Sequence, residues 1–210
     1  RSLEALETHM TDLAATLHAS RVRAAEQLRE QVAPFLERLA MQGATLDPVV
    51  ESAPWGPYGA NRIRLDFAAN AGEPVAALAQ AASGGELSRV MLAVWLVTGS
   101  DRTTLVFDEV DAGVGGRAAS AVGELLAELA HHHQVLVVTH LAQVAAHADH
   151  HVHVGKRTEE DRTASVVSVL GEEARVRELA RMLAGHDDAP AVDAARDLVA
   201  RASARKRVGA

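Results

Sequence analysis

Two short apolar runs, each followed by polar side chains, are the feature that most constrains this chain. The first run, 105–107, ends at Asp108 and Glu109, and the second, 135–138, ends near His140. The residues between the two runs have a helical pattern. Continuous apolar strands separated by a helix indicate a parallel βαβ unit with strands buried on both faces. The polar residues then lie at the carboxyl edge of the sheet, where open α/β folds bind ligands.

The residue types at this edge indicate phosphate chemistry. Asp108 is suited to hold Mg²⁺, mainly through water, and Glu109 to polarise an attacking water as a general base. The imidazole of His140 is suited to contact a phosphate. The alternative is that Asp108 and Glu109 are turn residues and that His140 is structural.

A second motif is the string Ser-Gly-Gly-Glu-Leu-Ser-Arg at 83–89, just before a predicted helix at about 85–99. Ser83 and Glu86 have the spacing of a capping box, which by itself carries no function. The two glycines let backbone N–H groups approach a phosphate at the positive end of the helix. The string therefore favours an anion-binding turn.

A phosphate-cradling Gly-x-x-x-x-Gly-Lys-Ser/Thr loop does not occur in the 210 residues. The glycine-rich run 113–117 has no Gly-Lys pair, and Gly155-Lys156 is followed by Arg157 without the upstream glycine. Another segment is therefore expected to hold the phosphates.

Residues 1–42 are predicted to form a helical arm. Leucine and methionine recur at spacings of three and four in the apolar seam of a coiled coil, at Leu3, Leu6, Met10, Leu13 and Leu17. The seam continues to residue 39, with Arg21 as a break, and Pro34 is expected to kink or interrupt the helix. An ordinary amphipathic helix is the alternative.

The remaining elements complete an α/β arrangement. Strands at about 44–51 and 62–67 predict an antiparallel hairpin with Trp55 and Tyr58 in its turn. Further elements are predicted as helices at 117–132, 141–148, 172–184 and 189–207 and edge strands near 151–155 and 163–169. Three domains follow: the arm at 1–42, an α/β lobe at 43–186 and a C-terminal helix at 187–210.

Composition excludes several classes of function. The net charge of −7 disfavours strong nucleic-acid binding by the bulk field of the chain. The absence of cysteine excludes disulfides and thiolate metal sites. No apolar run is long enough for a membrane span, and no secretory signal is expected.

Two other clusters are interpreted as structural. His147 and His151 have a spacing compatible with a shared metal ion, but solvated helix ends and edge strands are favoured for them and for the other histidines at 131–133, 150 and 153. The basic residues Arg201, Arg205, Lys206 and Arg207 are interpreted as a solvated helix end in preference to a phosphate-binding patch.

The motifs together resemble the RecN family of bacterial SMC-like DNA repair proteins. The resemblance rests on 83–89, on Asp108-Glu109-Val110-Asp111 with the glycines that follow, and on Thr139-His140-Leu141 with 143–145. It covers roughly residues 20–185. It implies an α/β fold, the C-terminal lobe of an ABC/SMC-type ATPase head with a parallel βαβ core and edge strands, preceded by a long coiled-coil-like helix.

The resemblance also implies roles for individual residues. Ser83, Gly84, Gly85 and Glu86 correspond to the ABC signature, Asp108 and Glu109 to the Walker B pair, Asp111 to the D-loop acid and His140 to the switch histidine. Asp111, beside Gly113 and Gly116, is expected in a flexible loop that contacts a second nucleotide site.

The implied function is that of an ATPase for DNA double-strand break repair and recombination, with ATP and Mg²⁺ as cofactors. The implied partners are an N-terminal P-loop lobe of the same protein, a second head in an ATP-sandwiched homodimer, and DNA in the full protein, without a membrane. The implied location is cytoplasmic and nucleoid-associated. The alternatives are a fragment of an ABC transporter's nucleotide-binding domain and a non-catalytic coiled-coil tethering module.

Overall fold

A computed structural model describes residues 2–99, 102–159 and 162–208. The chain divides into two compact units, Arg1–Gly99 and Ser100–Ala210, and each is described by itself. The domain boundaries expected after residues 42 and 186 stay a prediction. None of the helices in the described ranges has the length and hydropathy that a membrane span requires.

The first unit combines a long helix with a small antiparallel sheet. Its elements are α1 (Leu3–Arg38), β1 (Thr45–Gly56), β2 (Gly59–Ala68), β3 (Ala76–Ala77), α2 (Leu78–Ala81) and α3 (Gly84–Thr98). The strand β2 lies between β1 and β3 and is antiparallel to both. The predicted hairpin is confirmed, but its strands are longer than expected, so Trp55 lies in β1 and not in the turn.

The helix α1 has two different halves. Its predicted seam is exposed near the N-terminus, from 73% at Leu3 to 37% at Leu17, whereas Val32, Leu36 and Leu39 are buried. The helix continues through Pro34 to Arg38, so the expected interruption is wrong. Proline removes one intrahelical hydrogen bond, and burial of the residues on either side of it holds this part of the helix in the core.

Arg21, the break in the apolar seam, fastens the hairpin to α1. Its guanidinium donates to the carbonyl oxygen of Tyr58 at 2.7 Å and to Oδ1 of Asn61 at 3.3 Å. Gly59 has φ +92°, and a Cβ there would lie 2.9 Å from a methyl group of Leu17. A polar residue in the seam therefore marks the point where α1 meets the hairpin turn.

The second unit contains the predicted βαβ pair and a helical layer. Its elements are β4 (Thr104–Phe107), α4 (Gly116–Leu129), β5 (Gln134–Val137), α5 (Ala142–Ala145), β6 (His151–Glu159), β7 (Arg162–Leu170), α6 (Glu172–Ala184) and α7 (Ala189–Val208). The strands β4 and β5 are parallel, as predicted, with Leu105 opposite Val135. The strands β6 and β7 form an antiparallel hairpin.

The prediction that β4 and β5 are buried on both faces is wrong for the residues that the structure describes. Leu105 and Phe107 are 8% and 5% exposed, but Val106, Leu136 and Val138 are 67%, 51% and 61% exposed. The described residues of the second unit therefore cover only one face of the parallel pair.

Small side chains bring the helices of the second unit close together. The alanines of α5 pack with Leu179 and Ala180 of α6 and with three alanines of α7. Between α4 and α5, a Cβ on Gly123 would lie 2.6 Å from the His147 ring. This glycine therefore allows a buried histidine to pack directly against α4.

The C-terminal basic residues carry ion pairs that the sequence did not predict. Arg205 pairs with Glu124 of α4, and Lys206 pairs with Asp149 at 2.6 Å. These contacts fasten the end of α7 to two other segments of the same unit.

Candidate nucleotide site

Asp108 and Glu109 follow the last residue of β4, at the predicted edge of the sheet. Both side chains are exposed, and Oδ1 of Asp108 accepts a hydrogen bond from the backbone N–H of Glu109 at 2.9 Å. The backbone of Glu109 has φ +56°. A residue with a side chain rarely adopts this left-handed conformation, and such strain is concentrated at functional sites.

The position of Asp108 fits a Mg²⁺ site. An exposed carboxylate at the end of a strand offers a hard oxygen ligand, and Mg²⁺ commonly takes one or two carboxylates together with water and substrate phosphates. The residues present are therefore compatible with the cation that the sequence predicted.

The segment after β5 is organised by Asp111. The carboxylate of Asp111 is 3% exposed and accepts hydrogen bonds from the Thr139 hydroxyl and from the backbone N–H of His140, the latter at 3.2 Å. Nδ1 of His140 lies 3.4 Å from the same carboxylate oxygen, and the His140 side chain is 77% exposed. The structure therefore brings together the predicted switch histidine and the predicted D-loop acid.

The burial of Asp111 was not predicted. From the sequence, Asp111 was expected in a flexible loop beside glycines, in reach of a second nucleotide site, and that contact stays a prediction. In the structure its carboxylate is buried against residues 139–140 of the same chain. The contact brings together residues 28 apart in sequence, and no local pattern signals such a contact.

The Ser83–Glu86 segment lies in the first unit and forms the capping box. Ser83 is the N-cap of α3, and its hydroxyl oxygen accepts a hydrogen bond from the backbone N–H of Glu86 at 3.4 Å. One carboxylate oxygen of Glu86 accepts from both the backbone N–H and the hydroxyl of Ser83, each at 2.8 Å.

The electrostatics of this turn follow from these contacts. The hydrogen bonds from the Ser83 backbone and hydroxyl lower the pKa of Glu86. Burial lowers the pKa of Arg89, and the nearby Glu86 carboxylate opposes that shift. An ionised Glu86 accepts hydrogen bonds but donates none. The Ser83 hydroxyl therefore donates its single hydrogen to Glu86.

The remaining histidines do not assemble a metal centre in the described ranges. No group of three or more histidine, aspartate or glutamate side chains there has a metal-binding arrangement. His147 is instead buried against Gly123. Burial, followed by the charge of Lys206, lowers its pKa.

Sequence reasoning missed two features of this site. The motif at 139–145 indicated no role for Thr139, yet its hydroxyl donates to Asp111 and accepts from the backbone N–H of Leu141 at 3.0 Å. The left-handed backbone of Glu109 was also missed, because nothing in a carboxylate side chain signals it.

The chain is similar over most of its length to curated bacterial proteins. It is 46% identical over 199 residues to DNA repair protein RecN of Deinococcus radiodurans, a match that covers 94% of the chain and 35% of that protein. It is 48% identical over 200 residues to DNA repair protein RecN of Streptomyces coelicolor, covering 88% and 35%. The chain thus spans about a third of the length of these relatives, and they favour the DNA-repair interpretation over the transporter alternative.

Solved structures identify the fold. An Smc head domain with a coiled coil and joint from Pyrococcus yayanosii matches with a TM-score of 0.58 at 21% identity, over 84% of the chain and 33% of that structure. An Smc head domain with an extended coiled coil from Pyrococcus furiosus matches with a TM-score of 0.53 at 20% identity, over 79% and 40%. No family model matches the chain. The fold is that of part of an SMC-type head, mixed α/β with a long N-terminal helix, as the sequence predicted.

Proposed function

Because the chain belongs to the RecN family of DNA repair proteins, we propose that it supplies the signature, Walker B and switch-histidine parts of an ATPase head used in DNA double-strand break repair and recombination. The observation that carries the proposal is the arrangement of the second unit. Two carboxylates follow one parallel strand, and a histidine fastened to a buried acid follows the neighbouring strand.

Glu109 is the proposed general base. Its carboxylate takes a proton from a water molecule whose oxygen attacks the γ-phosphorus of ATP, and the bond to the leaving ADP oxygen breaks. The exposure of Glu109 at the end of β4 leaves room for substrate and water. The strained backbone supports the role, since strain of this kind accompanies functional sites.

Asp108 is the proposed Mg²⁺ residue. The cation, when bound, would neutralise charge on the β- and γ-phosphates. Asp108 contributes a carboxylate whose orientation is set by its hydrogen bond from the Glu109 backbone.

Ser83 and the N-terminus of α3 are the proposed signature surface for the phosphates of a second head. The hydroxyl proton of Ser83 is held by Glu86 in the structure. A phosphate is also an acceptor, so a hydrogen bond from this hydroxyl to a phosphate requires the hydroxyl to turn away from Glu86. The glycines at 84 and 85 allow the close backbone approach that such binding needs.

The proposed partners are those that the family resemblance implies. A P-loop lobe of the same protein would hold ATP and Mg²⁺, two heads would sandwich ATP in a homodimer, and DNA would be bound by the full protein. We place this complex in the cytoplasm, associated with the nucleoid. The chain by itself is proposed to have no appreciable ATPase activity.

The proposal is tested by joining this chain to a P-loop lobe and measuring steady-state ATP turnover. The substitution Glu109→Gln preserves size and removes the base, so turnover should fall by about 100-fold or more while nucleotide binding is retained. The matched control is Glu128→Gln, an acid of α4 that has no proposed role and should leave turnover unchanged. Unchanged turnover in Glu109→Gln would exclude Glu109 as the base.

A further inference from the structure

Asp111 has a buried carboxylate that none of the proposed chemical steps uses. Its side chain is 3% exposed, and burying a carboxylate is costly unless hydrogen-bond donors compensate. The donors that the structure gives it belong to the segment after β5: the Thr139 hydroxyl and the His140 backbone N–H.

This one carboxylate orders three consecutive residues. The Thr139 hydroxyl donates to Asp111. The hydroxyl oxygen of Thr139 in turn accepts a hydrogen bond from the Leu141 N–H at 3.0 Å. Asp111 thus holds the Thr139 side chain and the His140 backbone directly, and the Leu141 backbone through Thr139.

The same carboxylate faces the imidazole ring. Nδ1 of His140 lies 3.4 Å from Oδ2 of Asp111. If Nδ1 lacked a hydrogen, its lone pair would face the carboxylate oxygen and the two would repel each other. If Nδ1 carries the hydrogen, the contact is attractive, so this neighbour favours that tautomer.

We propose that Asp111 is a positioning residue that keeps neutral His140 in the tautomer protonated at Nδ1, with an unprotonated Nε2 available on the exposed ring. In this state Nε2 accepts a hydrogen bond, and only the imidazolium form would donate one to a phosphate. The catalytic role of this tautomer rests on the proposed function. The tautomer itself is a property of the chain without nucleotide.

The test is nuclear magnetic resonance of the 210-residue chain with ¹⁵N-labelled histidine, without nucleotide, at an alkaline pH where the His140 signals no longer change with pH. Long-range ¹H–¹⁵N correlations distinguish protonated from unprotonated ring nitrogens. The His140 signals are assigned by their loss in His140→Gln. We expect Nδ1 protonated and Nε2 unprotonated. A wild-type ring protonated mainly at Nε2 would overturn the inference without any further variant.

Two variants separate the carboxylate from the rest of the network. Asp111→Ala should reduce the Nδ1-protonated fraction of His140, whereas Thr139→Val retains the carboxylate and should preserve that fraction. An unchanged tautomer in a folded Asp111→Ala chain would contradict the inference. The samples contain no nucleotide. The tautomer result is therefore independent of the ATP turnover assay that tests the proposed function.

Discussion

At the scale of single residues, the motif at 83–86 serves as a structural cap and as a proposed phosphate surface. The capping box is fully formed, with three hydrogen bonds between Ser83 and Glu86. The sequence offered both interpretations. The structure shows the cap, and the proposed phosphate surface would use the same Ser83 hydroxyl. Stability and activity can therefore be separated only with variants that keep the cap.

Ser83→Ala removes the cap of α3 and should lower the free energy of unfolding by about 1 kcal/mol. Glu86→Gln keeps an acceptor for the Ser83 N–H, and glutamine is also a capping-box residue, so it should cost much less. Urea unfolding of the two variants measures the difference. Equal losses would mean that the Glu86 charge, and not the cap, stabilises this turn.

At the scale of elements, the boundaries of helices and strands were predicted better than their surroundings. The apolar runs and helical spacing predicted β4, α4 and β5, because local patterns determine secondary structure. The patterns did not predict that β4 and β5 are exposed on one face, since burial depends on segments distant in sequence. The role of Arg21 was missed for the same reason: its partners Tyr58 and Asn61 lie about 40 residues away.

The helix α1 ends in a left-handed residue that is not glycine. Ala40 has φ +60°, and the Met41 N–H donates to the Leu36 carbonyl at 3.0 Å, which is the left-handed ending that glycine favours. Ala40→Gly should therefore raise the free energy of unfolding by about 0.5–1 kcal/mol. The control Ala24→Gly, in the helical interior, should lower it by about 1 kcal/mol. Destabilisation by both substitutions would mean that this backbone is not strained.

At the scale of the whole molecule, apolar faces remain open in the second unit. Besides the face of β4 and β5, the β6–β7 hairpin pairs Val152 with Val169 and Val154 with Val167, and all four are at least 50% exposed. Exposed apolar faces of this kind normally bind another segment or chain. We therefore expect another segment or another chain to cover them.

Stability should depend on pH through two histidines. Burial lowers the pKa of His147 and of His151 below the ordinary value of 6.5, so the unfolded chain binds more protons below that value. The free energy of unfolding should then be highest above about pH 6.5 and fall as the pH decreases. Urea unfolding at about pH 7.5 and about pH 5.5 measures the loss.

The matched variants for this prediction are His147→Leu and the exposed His132→Gln. The first should reduce the pH dependence, and the second should leave it nearly unchanged. A wild-type stability that is independent of pH over this interval would contradict the assignment of buried neutral histidines.

In the proposed homodimer each ATP site is shared, with Ser83 from one head and Glu109 from the other. Sharing is tested by ATP turnover in mixtures of two inactive heads, one carrying Ser83→Arg and the other Glu109→Gln, each joined to a P-loop lobe. In a mixed dimer, one site combines the intact Glu109 of the first head with the intact Ser83 of the second. We predict partial recovery of turnover in the mixture, whereas turnover no higher than the sum of the two separate variants would contradict the shared site.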